Sequence, residues 1–411
     1  MTPLFLSIIG TSLLVAIVRS HVKMERALAR RAGTPSEPPV YPSVTVIRPI
    51  KGLDVGLEAN LQAALDTDYP GEVETLFVFD DKNDPAYPLV VRAVEMRRSQ
   101  GTRDRIEILF SGPPPEERTG KLNAMIFAAD RARGELIAFC DSDTRPSRTL
   151  LRALVNGLLS RPDIGDAFAP ALVAGQPRAA GDVGYAMLIN SWYGSSVALA
   201  AQPAGELDFI MGQFMIFRRE ALTAIGTLRR AEGQLVDDIF IGACIKKAGY
   251  KNLLITDPLN IATGGMDTRS FLKLFRRWLL FSQGLPMQFT RPNWIRGIEV
   301  YLAGITTLVA LCLASWGWAI IPAIAFALSL ASQVRLQEKF GGAPIPLRYL
   351  WVPLLVLVVA PILTVASLIN RRVDWRGRSY SLDVQAKLAH SDAHAHGKID
   401  SEDVEVKLAH S

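Results

Sequence analysis

Leu136-Ile137-Ala138-Phe139-Cys140-Asp141-Ser142-Asp143-Thr144-Arg145 is an apolar run that ends on two carboxylates spaced i, i+2. The run predicts a buried strand, and in extended backbone Asp141 and Asp143 point to the same side. Upstream, Val44 to Ile47, Val73 to Phe79 and Ile106 to Phe110 are further runs of this kind. Helix-like segments at Gly56 to Leu65, Tyr87 to Arg98, Lys121 to Arg133 and Ser147 to Leu159 alternate with them. Strand then helix, four times, predicts an α/β fold with a parallel sheet, whose ligands sit at the C-terminal edge of the strands.

The chain has 411 residues, 49% hydrophobic and 21% charged, with a mean hydropathy of +0.20, so it is not disordered, collagenous or coiled coil as a whole. Positive mean hydropathy points to a membrane. The excess of 45 basic over 40 acidic side chains has no basic stripe interleaved with aromatics, which favours membrane-facing loops over a nucleic-acid groove. Cys140, Cys244 and Cys312 are too scattered for a disulfide framework or a CxxC site and fit a reducing, cytoplasmic face. The histidines are His21, His390, His394, His396 and His410, with none between residues 22 and 389. A Ser-His-Asp triad, a Cys-His pair and an HExxH zinc site are thereby excluded from the globular region, and catalysis there falls to carboxylates, Lys, Arg or Tyr.

Pro3 to Val18 is apolar and is followed by Arg19, Lys23, Arg26, Arg30 and Arg31, the reverse of a cleavable signal peptide; it reads as a signal anchor whose basic flank stays in the cytoplasm. The expected organisation is a signal-anchor helix and flank at 1–33, a proline-rich linker at 34–42, a cytoplasmic domain at 43–290, a C-terminal transmembrane region at 291–379 and a disordered tail at 380–411. Gly297 to Ala331 is long enough for two short passes turning near Ser315-Trp316-Gly317, and Tyr349 to Ile369 for one more. Three C-terminal passes place Arg371, Arg372, Arg376 and Arg378 outside, against the positive-inside rule, so one segment is re-entrant or the count is off by one. In the second half of the globular domain, a strand is expected at Asp208 to Phe217 and helices near Val236 to Ala248 and Thr268 to Leu280. Tyr185 to Ala201 reads equally as an interfacial or a core helix.

Four sites carry candidate chemistry. Asp141 and Asp143 suit a hard divalent cation, Mg²⁺ or Mn²⁺, held against a diphosphate, although a DxD pair also occurs as a capped turn. Asp80 and Asp81 follow the strand ending at Phe79 and suit a base or ribose. Asp237 and Asp238 open a helix; capping explains one of them, and with no histidine available Asp238 is the expected general base with Asp237 as its helper. Arg276, Arg277 and Trp278 lie on a membrane-proximal helix and suit a departing diphosphate or the acceptor, or else a snorkelling basic patch. Lys121, with Asn123, opens a helix after a proline-rich loop and suits phosphate.

In this order the motifs resemble the membrane-bound ceramide glucosyltransferase family, inverting glycosyltransferases of GT-A type, and its bacterial relatives. The match covers residues 43 to 285 and rests on Asp81, Asp141, Asp238 and the stretch Leu274 to Trp278, supported by Arg48-Pro49-Ile50-Lys51-Gly52 and Asp84-Pro85. Two departures stand out: Leu274 replaces the family's Gln or Arg, with Lys273 or Arg276 as substitutes, and the second motif is a full DSD where animal members resemble DSG. The resemblance implies a GT-A domain between one N-terminal and about three C-terminal membrane segments, in the inner membrane of a bacterium with the catalytic domain facing the cytoplasm. It implies transfer of a sugar, glucose first, from a UDP-sugar to a membrane lipid such as ceramide, with a hopanoid or other lipid as the alternative acceptor and a processive polysaccharide synthase as the alternative class. In that scheme Asp81, with Asp80, Lys51, Lys121 and Asn123, serves the nucleotide sugar. Asp141 and Asp143 hold the cation, Asp238 takes the acceptor proton, and Arg277 with Trp278 stabilises the leaving UDP.

Overall fold

A computed structural model describes residues 2–29, 37–102, 104–201, 204–283, 287–313, 316–382 and 387–388. Helix α1 (Thr2–Ala29) precedes the alternating unit β1 (Val44–Pro49), α2 (Leu57–Leu65), β2 (Val73–Phe79), α3 (Tyr87–Ser99), β3 (Arg105–Phe110), α4 (Gly120–Ala129) and β4 (Leu136–Cys140). There follow β5 (Thr144–Arg145), α5 (Leu150–Leu159), β6 (Ile164–Phe168), β7 (Ala171–Leu172), α6 (Ala180–Ala186) and α7 (Ser195–Ala200). Next come β8 (Glu206–Leu207), β9 (Phe214–Arg218), α8 (Arg219–Ala224), α9 (Asp237–Lys247), β10 (Lys251–Leu254), β11 (Leu259–Ile261) and α10 (Thr268–Ser282). The C-terminal region holds α11 (Met287–Cys312), α12 (Trp316–Lys339), α13 (Val352–Ile369), β12 (Arg372–Trp375) and β13 (Arg378–Ser381).

The main sheet runs β3-β2-β1-β4-β9-β6-β10-β8. Its first four strands are parallel, as the β-branched runs predict, and β1 is the central strand of that half, with Ile47 opposite Phe139. Strand β9 runs antiparallel to both β4 and β6. A small sheet, β5-β11-β7, covers the edge where β4 ends. The segment expected as one strand from Asp208 to Phe217 is divided: β8 ends at Leu207, β9 starts at Phe214, and 208–213 form a loop at the sheet edge. Gly205, with φ 80°, lies against the carbonyl of Leu254 and permits the turn into β8.

The segment Tyr185 to Ala201 is a core element. A π-helical stretch, Met187–Gly194, links α6 to α7, and Met187, Ile189, Asn190 and Ser191 are fully buried. It joins the sheet domain to the apolar helices through Trp192 Nε1, which donates to Gln333 Oε1 at 3.0 Å, and through Ser196 Oγ, which donates to Asn293 Oδ1 at 2.9 Å.

Four helices are long and apolar enough to cross a membrane, within Leu4–Ala29, Asn293–Cys312, Trp316–Lys339 and Leu347–Ile369. Three of them, α1, α11 and α12, form one bundle, in which α1 and α12 run the same way: Gly10 abuts Pro322, and His21 Nδ1 meets Ser332 Oγ at 2.8 Å. Helix α13 is placed differently. At its start Tyr349 donates to the carbonyl of Arg178, and at its end Gln283 Nε2 donates to Ser367 Oγ, so both ends rest on the sheet domain. One N-terminal and three C-terminal helices of membrane-spanning length agree with the expected number, and the arginine segment that follows α13 packs back on the sheet domain as the hairpin β12–β13. The disordered tail expected from 380 starts too early: Tyr380 lies in β13, Leu382 is buried beside Leu235 and Leu280, and Lys387 bridges to Gln234. Apolar side chains at 373 and 382 give this segment a core to join. The tail histidines and the linker residues 34–36 lie outside the described residues.

Candidate active site

Above the C-terminal ends of β1, β2 and β4 lies a cleft of about 460 Å³ lined by Lys51, Asp80, Lys121, Asp141, Asp143, Asp237, Asp238, Arg277 and Trp278, among others. The turn after β4 is held from below by Arg48, whose buried guanidinium donates through Nη2 to the carbonyls of Asp141 (2.8 Å) and Thr144 (3.3 Å). That contact gives the Arg48-Pro49 motif a structural reason: β1 pairs beside β4 and its arginine fixes the backbone that presents both carboxylates.

Lys121, in the first turn of α4, is the cationic centre. Its Nζ lies 2.6 Å from Asp141 Oδ1 and donates to the carbonyl of Gly212 at 3.1 Å. Thr119 caps α4 by accepting from the amide of Leu122, which fixes the turn that carries the lysine. Burial alone would pull the Lys121 ammonium down, but Asp141, Asp237 and Asp238 outweigh it and hold the amine firmly protonated.

The acids around it are crowded. Asp143 is pushed up to about 6 by burial and by its neighbours Asp141 and Asp54. Asp237 is pushed up to about 6 by burial, against the pull of Lys121. Burial also raises Asp141 and Asp238, with Lys121 opposing in both cases. Asp238 is fixed by two amides: Gly212 N donates to Oδ2 at 2.6 Å and Ile239 N to Oδ1 at 2.8 Å. Each oxygen keeps a second lone pair for an incoming hydroxyl.

Among the described residues no cluster of three or more His, Cys, Asp or Glu ligands is present. Asp141 and Asp143 nevertheless fit a hard divalent cation, because they are adjacent oxygen donors, burial and then mutual repulsion raise Asp143, and a diphosphate and water would complete the set.

The structure sorts the remaining expected residues. Asp80 faces the cleft, with Oδ2 3.0 Å from Lys51 Nζ, whereas Asp81 is exposed and accepts from the amide of Asn83, closing the turn after β2. The alternation of a strand explains the exchange: Asp80 follows Leu76 and Val78 on the face that packs against α4, and Asp81 falls on the other face. Asn123 is buried behind the cleft, donating to the carbonyl of Gly112 and accepting from Arg118. Arg276 lies outside the cleft and donates to the carbonyls of Asn370 (2.5 Å) and Arg372 (3.3 Å), and Lys273 is exposed, so neither fills the place of a polar residue at Leu274. Arg277 and Trp278 do line the cleft, Trp278 in a T-shaped contact with Tyr193 at 4.5 Å.

Two groups of cleft residues were not read from the sequence. The loop 208–213 contributes Phe209, Met211 and Gln213, and the hairpin β12–β13 contributes Trp375, Arg376, Arg378 and Tyr380. Only the misplaced positive charge at 371–378 signalled the second group.

A sheet of this order with a DxD turn at its edge, a basic helix start and an acidic pair opposite defines a GT-A glycosyltransferase. The chain belongs to glycosyl transferase family 21, whose pattern matches residues 5–388. Similar proteins include ceramide glucosyltransferase 3 of Caenorhabditis elegans, 24% identical over 83% of this chain and 73% of the relative. An N-acetylglucosaminyltransferase of Rhizobium meliloti is 29% identical over 60% of this chain and 57% of its own length. Among solved structures, the mannosyltransferase of Pyrobaculum calidifontis in complex with GDP-Man and Mn²⁺ superimposes with a TM-score of 0.53 at 20% identity, over 86% of this chain and 99% of that one. The fold and enzyme class expected from the sequence are thereby borne out.

Proposed function

We propose that this glycosyltransferase transfers glucose from UDP-glucose to the hydroxyl of a membrane lipid, ceramide in the first instance, with inversion at the anomeric carbon. The observation that carries the reading is the chain Asp141–Lys121–Gly212–Asp238: one lysine touches both the diphosphate-side acid and the loop that fixes the opposing carboxylate. Donor and acceptor groups therefore face each other across a single cleft. In the reaction the acceptor oxygen bonds to the anomeric carbon, the bond from that carbon to the diphosphate breaks with its electron pair leaving on UDP, and Asp238 takes the hydroxyl proton. Asp80 and Lys51 serve the nucleotide side, and Arg277 with Lys121 meets the negative charge that develops on the leaving group. Asp141 and Asp143 would hold a divalent cation, which would add neutralisation of the diphosphate charge.

The acceptor side is formed by Tyr193 and Trp278, on the segments that join the domain to α12 and α13. An apolar aromatic wall next to membrane-competent helices suits a lipid entering from the bilayer. Names of the relatives support glucose and ceramide, and the N-acetylglucosaminyltransferase relative makes UDP-N-acetylglucosamine the donor to test beside it. Solubilised enzyme and its Asp238→Asn variant are incubated with UDP-glucose, UDP-galactose or UDP-N-acetylglucosamine and with ceramide, diacylglycerol or a hopanoid polyol, and the lipids are read by mass spectrometry. One added hexose on ceramide, absent with the variant, is the expected result. Transfer to the hopanoid alone would replace the acceptor, long polymer would replace the lipid reading with a synthase, and full turnover by Asp238→Asn would sink the base assignment.

A further inference from the structure

The hairpin β12–β13 places two guanidinium groups in the cleft from the far end of the chain. Arg376 Nη1 donates to the carbonyl of Lys51 at 3.0 Å and to Asp54 Oδ1 at 2.6 Å. Arg378 Nη2 lies 3.0 Å from Asp80 Oδ2, and Tyr380 Oη accepts from the amide of Gly120 at the start of α4. These contacts lie on the nucleotide side, between β1, β2 and the lysine helix.

Charge decides what the tip is for. Six carboxylates line the cleft against five cations, and two of those five are Arg376 and Arg378. Without the hairpin three cations would face six acids, a field that repels a diphosphate. The turn itself is unusual: Arg376 at φ 53° and Gly377 at φ 76° are consecutive left-handed residues, the two-residue hairpin geometry that favours Asn-Gly or Gly-Gly. An arginine in the first position opposes local preference, which is the mark of a residue kept for its chemistry. Arg277 approaches the same place from α10: its guanidinium lies 5.9 Å from the Trp375 ring, and its buried Nε has no hydrogen-bond partner.

We propose that Arg376 and Arg378 clamp the phosphates of the donor, exchanging Asp54 and Asp80 for diphosphate oxygens when the nucleotide sugar binds. The inference rests on the proposed nucleotide-sugar reading of the cleft. Paired guanidinium groups are suited to this exchange, because a planar fork moves from one oxyanion to another without loss of charge. Anchoring falls to Arg276, which holds Asn370 and Arg372 outside the cleft.

The test measures binding of UDP, and separately GDP, to full-length solubilised enzyme with Mn²⁺ by calorimetry, beside the donor KM. The variant is Arg376→Asn with Arg378→Ala, since asparagine accepts the left-handed backbone and removes the charge. UDP affinity should fall at least about tenfold and donor KM should rise with it. Arg276→Ala, at a half-buried position outside the cleft, loosens the hairpin without touching the cleft and should weaken UDP binding in the same direction; it carries the test if the double variant does not fold. Unchanged binding in both variants overturns the clamp, and tighter binding overturns it in favour of a plug. A wild-type enzyme that binds neither UDP nor GDP would instead fail the nucleotide-sugar reading itself, and the clamp with it.

Discussion

The amide of Gly212 donates to Asp238 Oδ2 at 2.6 Å, and a Cβ built on Gly212 would stand 2.8 Å from that same oxygen. The glycine is therefore a positioning residue for the proposed base, since only a residue without a side chain lets the backbone approach the carboxylate so closely. Gly212→Ala should displace Asp238 and lower kcat by about 10- to 100-fold, with donor KM within about twofold, because misplacing a catalytic group by a fraction of an ångström removes transition-state contact and leaves ground-state binding intact. Steady-state kinetics at saturating donor reads this directly. A variant with unchanged kcat would show that the Gly212–Asp238 contact does not set the reaction geometry.

Lys121 neutralises the acids that the cleft gathers, with Asp141 at 2.6 Å and Asp237 and Asp238 within electrostatic reach. Lys121→Met keeps most of the unbranched side chain and deletes the charge. The substrate-free variant should lose about 1–3 kcal/mol of stability, the cost of leaving a half-buried carboxylate without its partner. Mn²⁺ should raise the melting temperature of the variant more than that of the parent, because a cation at Asp141 and Asp143 then replaces the missing ammonium. Equal shifts in both proteins would count against a cation site at these acids.

The strands β1 to β4, the DSD turn and the helix starts at Lys121 and Asp238 were legible because each is a local pattern: an apolar run long enough for a doubly covered strand, then polar residues where it leaves the sheet. Asp80 and Asp81 were legible as a pair but not as individuals, since the sequence does not show at which residue β2 ends, and a shift of one residue reverses the side. Arg376 reaches Lys51 across 325 residues, and no periodicity encodes such a contact. Its trace was indirect, a cluster of arginines in conflict with the expected topology. The sequence 208–213 has the pattern of a strand because Phe209-Ile210-Met211 is apolar; Phe209 and Ile210 are buried instead in the core beneath the cleft, through a loop.

Asp166, in the middle of β6, is fully buried, and neither carboxylate oxygen has a hydrogen-bond partner. Burial raises its pKa well above the usual carboxylate value, so the folded protein carries it protonated where the unfolded chain would ionise it. Such a group contributes stability that is fully present below the unfolded pKa of about 3.9 and is lost as pH rises toward the folded value. Asp166→Asn cannot ionise, and Asn252, its neighbour in register on β10, has a buried unpartnered Oδ1 suited to a donor. Melting temperatures of parent and variant should coincide near pH 4 and diverge above it, with the variant higher by several degrees at pH 8. A parent that melts at a pH-independent temperature, or a gap that closes as pH rises, would contradict a protonated Asp166.

Helix α13 exposes Leu354, Val358, Ile362, Val365 and Ile369 along one stripe while Val352, Val356 and Leu357 are buried. A helix with an apolar outer stripe and both ends hydrogen-bonded to the same domain is suited to lie in the membrane interface beside α10, leaving α1, α11 and α12 to cross. The hairpin β12–β13 then shares a side with the sheet domain, and its arginines satisfy the positive-inside rule once that side is the cytoplasm. Single cysteines replacing Lys247 on α9, Ser379 on β13 and Trp316 at the start of α12, in a background freed of Cys140, Cys244 and Cys312, distinguish the two topologies. With an impermeant maleimide, Lys247→Cys and Ser379→Cys should label together in vesicles of one orientation, and Trp316→Cys should label in the other. Labelling of Ser379→Cys together with Trp316→Cys would mean that α13 crosses, and the arginine tip would then be on the wrong side of the membrane to reach Asp54 or Asp80.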